Sequence, residues 1–125
     1  MDAQNGSYRN LIVWQKGMEL VVTVYEVTKQ YPDDEKYGLT SQTRRSVVSI
    51  PANIAEGKRR GSLKDYVRFL NMAYASGAEL ETHLEIARRL KYLQAMDLDR
   101  LSENLNEVMR MLNSMQRKFG GFTKQ

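Results

Sequence analysis

Residues 62–93 of the chain, SLKDYVRFLNMAYASGAELETHLEIARRLKYL, carry the clearest structural pattern in the sequence. Apolar and small residues recur there at alternating steps of three and four, which places them on one face of an α-helix. They are Leu63, Tyr66, Leu70, Ala73, Gly77, Leu80, Leu84 and Ala87. Ser62 and Asp65 open the segment at the spacing of a helix-capping box. The pattern therefore predicts one long helix over 62–93.

Three other segments show the same periodicity. The first has Leu11, Trp14, Met18, Val21 and Tyr25; the second has Leu39, Val47, Ile50 and Ile54; the last has Leu98, Leu101, Leu105, Val108, Leu112, Met115 and Phe119. We predict helices over 10–30, 34–57 and 97–119 from these stripes. Short connections make consecutive helices antiparallel. The sequence thus predicts an all-α, up-down-up-down four-helix bundle.

Polar residues and glycines mark the expected helix ends. Asn10, Asp33 or Asp34, and Asp97 stand where their side chains could cap the first free amides of a helix. Gly57 and the Gly120-Gly121 pair suit C-terminal caps. Residues 1–125 would then form a single domain with polar tails over 1–9 and 120–125.

Composition limits the possible functions. A chain of 125 residues and 14.5 kDa has room for one small core. It has no cysteine, which excludes thiol catalysis, and one histidine, His83, with Leu80 where a Glu-x-x-His metal motif needs glutamate. We expect a noncatalytic protein without metal or cofactor. Since the first residues are polar and lack an apolar signal core, we also expect a cytoplasmic protein.

Several apolar residues fall outside the main stripes: Val22, Val48, Met72, Ile86 and Met111. A wide core would explain them. A second apolar surface covered by another copy of the chain would explain them equally well. We expect a homo-oligomer.

The positive charge of the chain is localised. Between Lys58 and Arg68 lie five basic residues and one acidic residue, a net +4 that equals the net charge of the whole protein. The cations are Lys58, Arg59, Arg60, Lys64 and Arg68. We expect Arg59 and Arg60 to stand beside the free N-terminal amides of the next helix, where a phosphate would be favoured. A solvated connection that only keeps the protein soluble is the alternative.

Other basic groups are weaker candidates. Arg88, Arg89 and Lys91 fall near the end of the third helix, where cations stabilise the helix dipole, and Glu85 can pair with the arginines. We assign them a structural role. Arg117, Lys118 and Lys124 form a basic tail that could add nonspecific contacts.

The second helix carries a polar stripe at helical spacing: Gln42, Arg45, Ser49, Asn53 and Glu56. A solvated face would have the same spacing. Short amides and a hydroxyl between two charged residues instead suit partners fixed across a helix contact. We therefore expect interface or structural roles for this stripe.

Several strings make the chain resemble the four-helix-bundle protein family of bacterial 23S ribosomal RNA intervening sequences, over roughly Tyr8 to Leu112. These are Leu11 followed by Trp14-Gln15-Lys16, then Tyr37-Gly38-Leu39, Gln42-Thr43-Arg44-Arg45, Ser49-Ile50-Pro51-Ala52-Asn53-Ile54-Ala55-Glu56-Gly57, and Gly77-Ala78-Glu79-Leu80-Glu81-Thr82. The resemblance implies a cytoplasmic homopentameric ring with no established catalytic activity. The fold is also similar to that of accessory variability proteins of diversity-generating retroelements, pentamers that bind nucleic acid and a reverse transcriptase.

The resemblance carries over onto named positions of this chain. Helix two supplies Arg44, Arg45, Ser49, Asn53 and Glu56, and helix three supplies Glu79 and Glu81. Our leading hypothesis is a homo-oligomer that binds RNA or DNA backbones through the segment from Lys58 to Arg68, with Arg44 and Arg45 as further contacts. The alternative is a protein-binding scaffold, for example for a reverse transcriptase, with no direct nucleic-acid role.

Overall fold

Four α-helices account for most of the computed structural model, which describes residues 7–120. They are α1 (Ile12–Thr28), α2 (Leu39–Arg60), α3 (Leu63–Arg89) and α4 (Ala95–Gly120). Short 3-10 turns at Tyr8–Asn10 and Asp33–Glu35 precede α1 and α2. No residue from 7 to 120 lies in a β-strand, so the predicted all-α class is confirmed. None of these helices is long and apolar enough to cross a membrane.

Both ends of α2 lie further along the chain than predicted. The expected start at Asp33 or Asp34 is wrong because those residues belong to a separate 3-10 turn. The carboxylate of Glu35 caps α2 instead, since its Oε1 accepts a hydrogen bond from the Leu39 amide at 3.0 Å. That bond is the main cause of the lowered pKa of Glu35, and a second bond, donated by the Tyr92 hydroxyl, lowers the pKa further.

Gly57 is not the C-terminal cap of α2. The helix continues to Arg60, and Gly61 adopts the left-handed conformation with φ +85. Gly57 lies inside α2 at its closest approach to α3, where a Cβ atom would stand 2.6 Å from the Cβ of Phe69. The glycine is needed there for helix packing rather than for a turn.

The remaining helix ends confirm one predicted cap and correct several positions. α1 ends at Thr28 rather than 30, and Gly120, expected in a cap or tail, is the last residue of α4. Ser62 caps α3, because its Oγ accepts from the Asp65 amide at 3.1 Å. Asn10 belongs to a 3-10 turn, and Leu11 takes the N-cap position of α1 without a side-chain bond. α3 ends at Arg89 rather than 93, and α4 begins at 95, which places Asp97 in its first turn. The expected tails 1–9 and 120–125 lie mostly outside the described residues, as does Gly121.

The core lies between the four helices, with α2 packed against α1 and α3, and α4 packed against α3 and α1. Its fully buried side chains include Leu20, Ile50, Ile54, Leu70, Leu80, Leu101, Leu105 and Leu112. The predicted stripes of α3 and α4 supply most of them. Among the α3 stripe only Leu63, at the first turn, is exposed.

The predicted stripe of α1 is correct only in part, because Leu11, Trp14 and Val21 pack against the core but Met18 and Tyr25 are exposed. The buried face is the set Val13, Gly17, Leu20, Val24 and Val27, whereas Met18 and Tyr25 are exposed. α1 is apolar on two sides, so periodicity alone does not choose between them. Gly17 lies on the buried face opposite α2, where an added Cβ would stand 3.6 Å from Pro51, an ordinary contact distance.

Candidate nucleic-acid interface

The basic segment, Lys58 to Arg68, lies at the junction of α2 and α3. Lys58, Arg59 and Arg60 occupy the last turn of α2, and only Gly61 and Ser62 separate them from α3. The cations therefore stand at the C-terminus of one helix, where they stabilise its dipole. The prediction that placed Arg59 and Arg60 in a connecting loop is wrong in this respect.

The N-terminus of α3 is also less open than expected. The hydroxyl of Ser62 occupies the Asp65 amide, and the Asp65 carboxylate adds a negative charge to the first turn. Both features compete with an incoming anion. An anion that approached this segment would therefore meet the positive side chains rather than the helix amides.

Aromatic rings hold most of these cations in place. Lys58 Nζ stands 5.6 Å from the ring centre of Tyr66, and the Arg60 guanidinium stands 5.0 Å from that of Phe69. Arg68 covers Phe69 at 4.6 Å. Tyr66 and Phe69 are both buried, so the rings order the cations and are themselves covered.

Two of the five cations have carboxylate partners. Arg60 donates to Glu56 at 2.9 Å, which raises the pKa of Arg60, and Arg68 lies 3.6 Å from Asp65. Both pairs are exposed and contribute little stability. Lys58, Arg59 and Lys64 form no ion pair with any residue from 7 to 120. These three are the cations most available to a phosphate.

Arg44 and Arg45 lie near the other end of α2. At 1.5 Å per residue, Arg45 is about 20 Å along the helix from Lys58, so the predicted arginines do not join the basic segment. Arg44 joins α2 to α1: its Nε donates to Thr28 Oγ1 at 2.9 Å, and its Nη2 donates to the Tyr25 carbonyl at 3.3 Å. Arg45 is exposed and forms no hydrogen bond to α1 among the described residues.

A groove at this end of α2, the tyrosine groove, was not predicted. It has a volume of about 620 Å³ and is lined by Tyr25, Lys36, Tyr37, Arg44, Arg45 and Val48, together with the hydroxyl residues Thr40, Ser41 and Ser49. No acidic residue of the described chain lines it. The resemblance strings contained Tyr37 and both arginines, but nothing in the linear sequence showed that they share one groove.

The polar stripe of α2 faces α3. Ser49 Oγ and Ser76 Oγ form a hydrogen bond of 2.7 Å, and Asn53 Nδ2 donates to both the carbonyl and the hydroxyl of Ser49 at 2.8 and 2.9 Å. Ser49 therefore joins α2 to α3, whereas Asn53 supports Ser49 from within α2. Glu56 points along its own helix to Arg60 instead.

Gln42 and Arg45 meet Glu79 in a second depression, the polar groove. It has a volume of about 410 Å³ and lies between α2 and α3, with Ser46, Ser49 and His83 completing its lining. Glu81 is not part of it, because that side chain lines a crevice between α3 and α4. The two glutamates carried over from the family therefore serve different surfaces.

His83 is the member of the polar groove that sequence reasoning treated only as a metal candidate. Ser46 Oγ donates to the Thr43 carbonyl at 2.9 Å and also lies within hydrogen-bond distance of His83 Nδ1, at 3.3 Å. Burial lowers the pKa of His83, and the charge of Glu79 opposes that shift. Glu79 and His83 are four residues apart on α3, and this spacing was the sequence feature that could have placed His83 beside Glu79. Residues 7–120 contain no cluster of side chains able to hold a metal ion.

Apolar side chains also stand on the outside of the helices. Val22, Val48, Met72 and Ile86 are each at least 41% exposed, so the wide core does not account for them. Met111 is different, because it packs against the core. The exposed set lies on α1, α2 and α3.

A family model described as 23S rRNA-intervening sequence protein matches residues 9–114. The chain belongs to this family. A solved structure from Bacteroides thetaiotaomicron, described as a protein with unknown function from the S23 ribosomal protein family, is 27% identical. The match covers 84% of this chain and 98% of that one, with a TM-score of 0.78. No curated protein matches the chain.

In this member of the 23S rRNA-intervening sequence family, the strings that suggested the family fall mainly on α2 and α3. The Ser49-to-Gly57 string packs against α3 through Ser49 and Gly57. The string that contains Arg44 and Arg45 borders both grooves. The further likeness to retroelement accessory proteins stays a prediction.

Proposed function

We propose that the chain is a noncatalytic, cytoplasmic homo-oligomer that binds nucleic-acid backbones through its basic segment. The observation that carries the proposal is the concentration of the whole net charge of +4 into one helix junction, where Lys58, Arg59 and Lys64 have no ion-pair partner among the described residues. Cations that neutralise phosphates release counterions, which is the main source of nonspecific affinity for RNA and DNA.

Rings and carboxylates keep this segment ordered before any ligand arrives. Lys58 and Arg60 lie over buried rings, and Arg60 is further fixed by Glu56. A side chain that is already ordered loses less rotamer entropy on binding. The basic segment would therefore act as a preformed contact surface rather than as a flexible tail.

Self-association would bring several copies of the basic segment together, and their summed contacts would bind more tightly than one weak site. Exposed apolar side chains lie on two different helices, Met18 and Val22 on α1, and Met72 and Ile86 on α3. Contacts between two different faces produce rings when the rotation closes. We propose such a ring of up-down-up-down antiparallel bundles, with five copies as the resemblance implies. Each copy would then add one basic segment to the total affinity.

The noncatalytic part of the proposal rests on residue types. The chain has no cysteine and a single histidine, and the structure occupies that histidine in a contact with Ser46 between α2 and α3. The glutamates carried over from the family lie on different surfaces.

The test replaces Lys58, Arg59 and Arg60 together by alanine and measures binding of a labelled duplex by fluorescence anisotropy at low salt. We expect affinity to fall by roughly tenfold or more, because several phosphate contacts disappear at once. The matched control replaces Arg88, Arg89 and Lys91, which removes the same charge from the end of α3. Equal losses in the two variants, or no loss in the first, would contradict the assignment.

The polar groove favours a second function, a protein-binding scaffold. Arg45 and Glu79 line it as exposed ionisable groups, and neither forms an ion pair within residues 7–120. A partner with complementary charges could pair with both. Affinity capture with the wild type and an Arg45→Glu variant tests this, with Arg100→Glu on α4 as the control. Loss of a partner only in Arg45→Glu, together with no duplex binding by the wild type, would favour the scaffold.

A further inference from the structure

We propose that the tyrosine groove binds an unpaired nucleotide of a nucleic-acid strand, with the base stacked on Tyr37 and the phosphates held by Lys36, Arg44 and Arg45. The inference rests on the proposed function in taking nucleic acid as the ligand. It adds a separate site at the opposite end of α2 and a different form of that ligand. The basic segment contacts the backbone, whereas the groove takes a base.

Tyr37 is the most exposed of the large hydrophobic residues in the described part of the chain. It is 87% exposed and lies in no aromatic pair among residues 7–120. Its one ring contact is Lys36 Nζ, at 5.5 Å from the ring centre. A planar base could cover the ring while the lysine stays beside the adjoining phosphate. Stacking on exposed aromatic rings is how proteins hold unpaired bases.

Arg44 is positioned in advance for a phosphate. Its Nε and Nη2 are fixed by Thr28 and the Tyr25 carbonyl, and its guanidinium lies 4.5 Å from the ring centre of Tyr25. These contacts use two of its five N–H donors in direct bonds, so others remain for a ligand oxygen. Arg45 follows it on the same groove wall and forms no ion pair with any residue from 7 to 120.

Charge and size both suit this ligand. Three cations line the groove and no carboxylate of the described chain does, which favours an anion. Its volume of about 620 Å³ lies within the roughly 300–1,000 Å³ that small-ligand clefts have. An acidic peptide could use the cations, but it would leave the exposed ring of Tyr37 without a role.

The basic segment cannot take an unpaired base in the same way. Its rings, Tyr66 and Phe69, are at most 8% exposed and are already covered by cations. Tyr8, whose ring centre lies 5.6 Å from the Arg59 guanidinium, is half-buried and already pairs with Trp14. Dependence on a base therefore distinguishes the groove from the basic segment. Dependence on phosphate alone does not.

The experiment compares two labelled strands of equal length, a short oligothymidylate and a strand of abasic sites with the same phosphates. Both are titrated with the wild type, Tyr37→Ala, Tyr37→Phe and Tyr74→Ala. Tyr74 is the matched control, because it is an exposed tyrosine of α3 outside the groove. Thermal unfolding of each variant confirms that the fold is kept.

We expect Tyr37→Ala to weaken binding of the oligothymidylate by about fivefold or more, as loss of one stacked base does. Binding of the abasic strand should be unchanged. Tyr37→Phe should retain the wild-type affinity, since it keeps the ring, and Tyr74→Ala should match the wild type.

Three results would overturn the inference: equal affinities of the wild type for the two strands, no effect of Tyr37→Ala, or an equal effect of Tyr37→Ala on both strands. The variant that lacks Lys58, Arg59 and Arg60 separates this failure from that of the proposed function. If it still binds duplex while Tyr37→Ala loses the oligothymidylate, the basic segment is wrong and the groove stands. The opposite pattern removes the groove and keeps the basic segment.

Discussion

The two ends of α2 are both basic, but they use aromatic side chains in opposite ways. At the α2–α3 junction, Tyr66 and Phe69 are buried beneath Lys58 and Arg60. At the start of α2, Tyr37 stands open beside its cation. The first arrangement orders positive charge, as the proposed backbone contact requires, and the second leaves a ring exposed, as the proposed base contact requires.

The comparison shows what a charge sum along the sequence can and cannot locate. The junction stands out because five cations are close in sequence. The tyrosine groove does not, because its cations are balanced by acidic neighbours such as Asp33 and Asp34, which do not line it. Only the fold separates the carboxylates from the groove.

The largest effect on stability is expected at the junction. An alanine at Gly57 would bring its Cβ to 2.6 Å from Phe69 Cβ, an atom fixed to the backbone of α3. Such overpacking costs about 3 kcal/mol, and the better helix propensity of alanine returns about 1 kcal/mol. Gly57→Ala should therefore lower the free energy of unfolding by about 2 kcal/mol in urea denaturation.

Gly77→Ala is the control for that variant. Its added Cβ would meet the sulfur of Met109, which is at the end of a flexible side chain and can move away. We expect a smaller loss than for Gly57→Ala. Equal losses would mean that the close approach at the junction does not decide the packing.

At the other end of α2, Arg44→Ala should lower the free energy of unfolding by about 1.5 kcal/mol, the lower end of the range for hydrogen bonds of a charged group. The variant loses the bonds to Thr28 and to the Tyr25 carbonyl. Arg45→Ala is the matched control and should stay within about 0.5 kcal/mol of the wild type, as exposed substitutions usually do. A similar loss in both variants would remove the distinction between a clamping and a free arginine.

Gly61→Ala tests the turn that joins α2 to α3. A Cβ at Gly61 meets nothing within 4 Å, so its cost is that of the left-handed backbone at φ +85 alone. That cost is about 1 kcal/mol. Urea denaturation should show this loss with duplex affinity unchanged; a loss above that for Gly57→Ala would contradict the assignment of the main constraint to Gly57.

The smallest effect on stability is expected at His83 of α3, which contacts Ser46 between the two ends of α2. Burial lowers the pKa of His83 below its ordinary value of 6.5, so the unfolded chain binds the proton more readily. Stability from this group is complete above pH 6.5 and is lost as the pH falls toward the lower pKa of the folded state. The slope of unfolding free energy against pH in this range should decrease in His83→Gln. An unchanged slope would show that His83 does not titrate differently on folding.

Periodicity was sufficient for the helices whose apolar stripe is unique. α3 and α4 were predicted with the correct buried faces because their other faces are mainly polar. α1 was predicted only in part: Leu11, Trp14 and Val21 pack against the core, but Val13 and Leu20 are buried where Met18 and Tyr25 were expected. The side of α1 that faces the core depends on contacts with the other helices, which local patterns do not contain.

The site was predictable to the extent that its residues are neighbours in sequence. The basic segment and the polar stripe of α2 were identified, and Ser49 of that stripe bonds to Ser76 of α3. Capping by Glu35 depends on a local bond to Leu39 from a separate 3-10 turn, and the tyrosine groove depends on contact between α1 and the stretch 36–49. Neither could be derived from spacing within a single helix.

The measurement that tests the central claim most directly is the salt dependence of duplex DNA binding by the wild type and by the variant that lacks Lys58, Arg59 and Arg60. For the wild type, we predict that log affinity falls linearly with log salt concentration, by roughly 0.9 for each phosphate neutralised. The variant should show a shallower slope by roughly that amount for each lost contact. Identical slopes, or no binding by the wild type at low salt, would contradict the account.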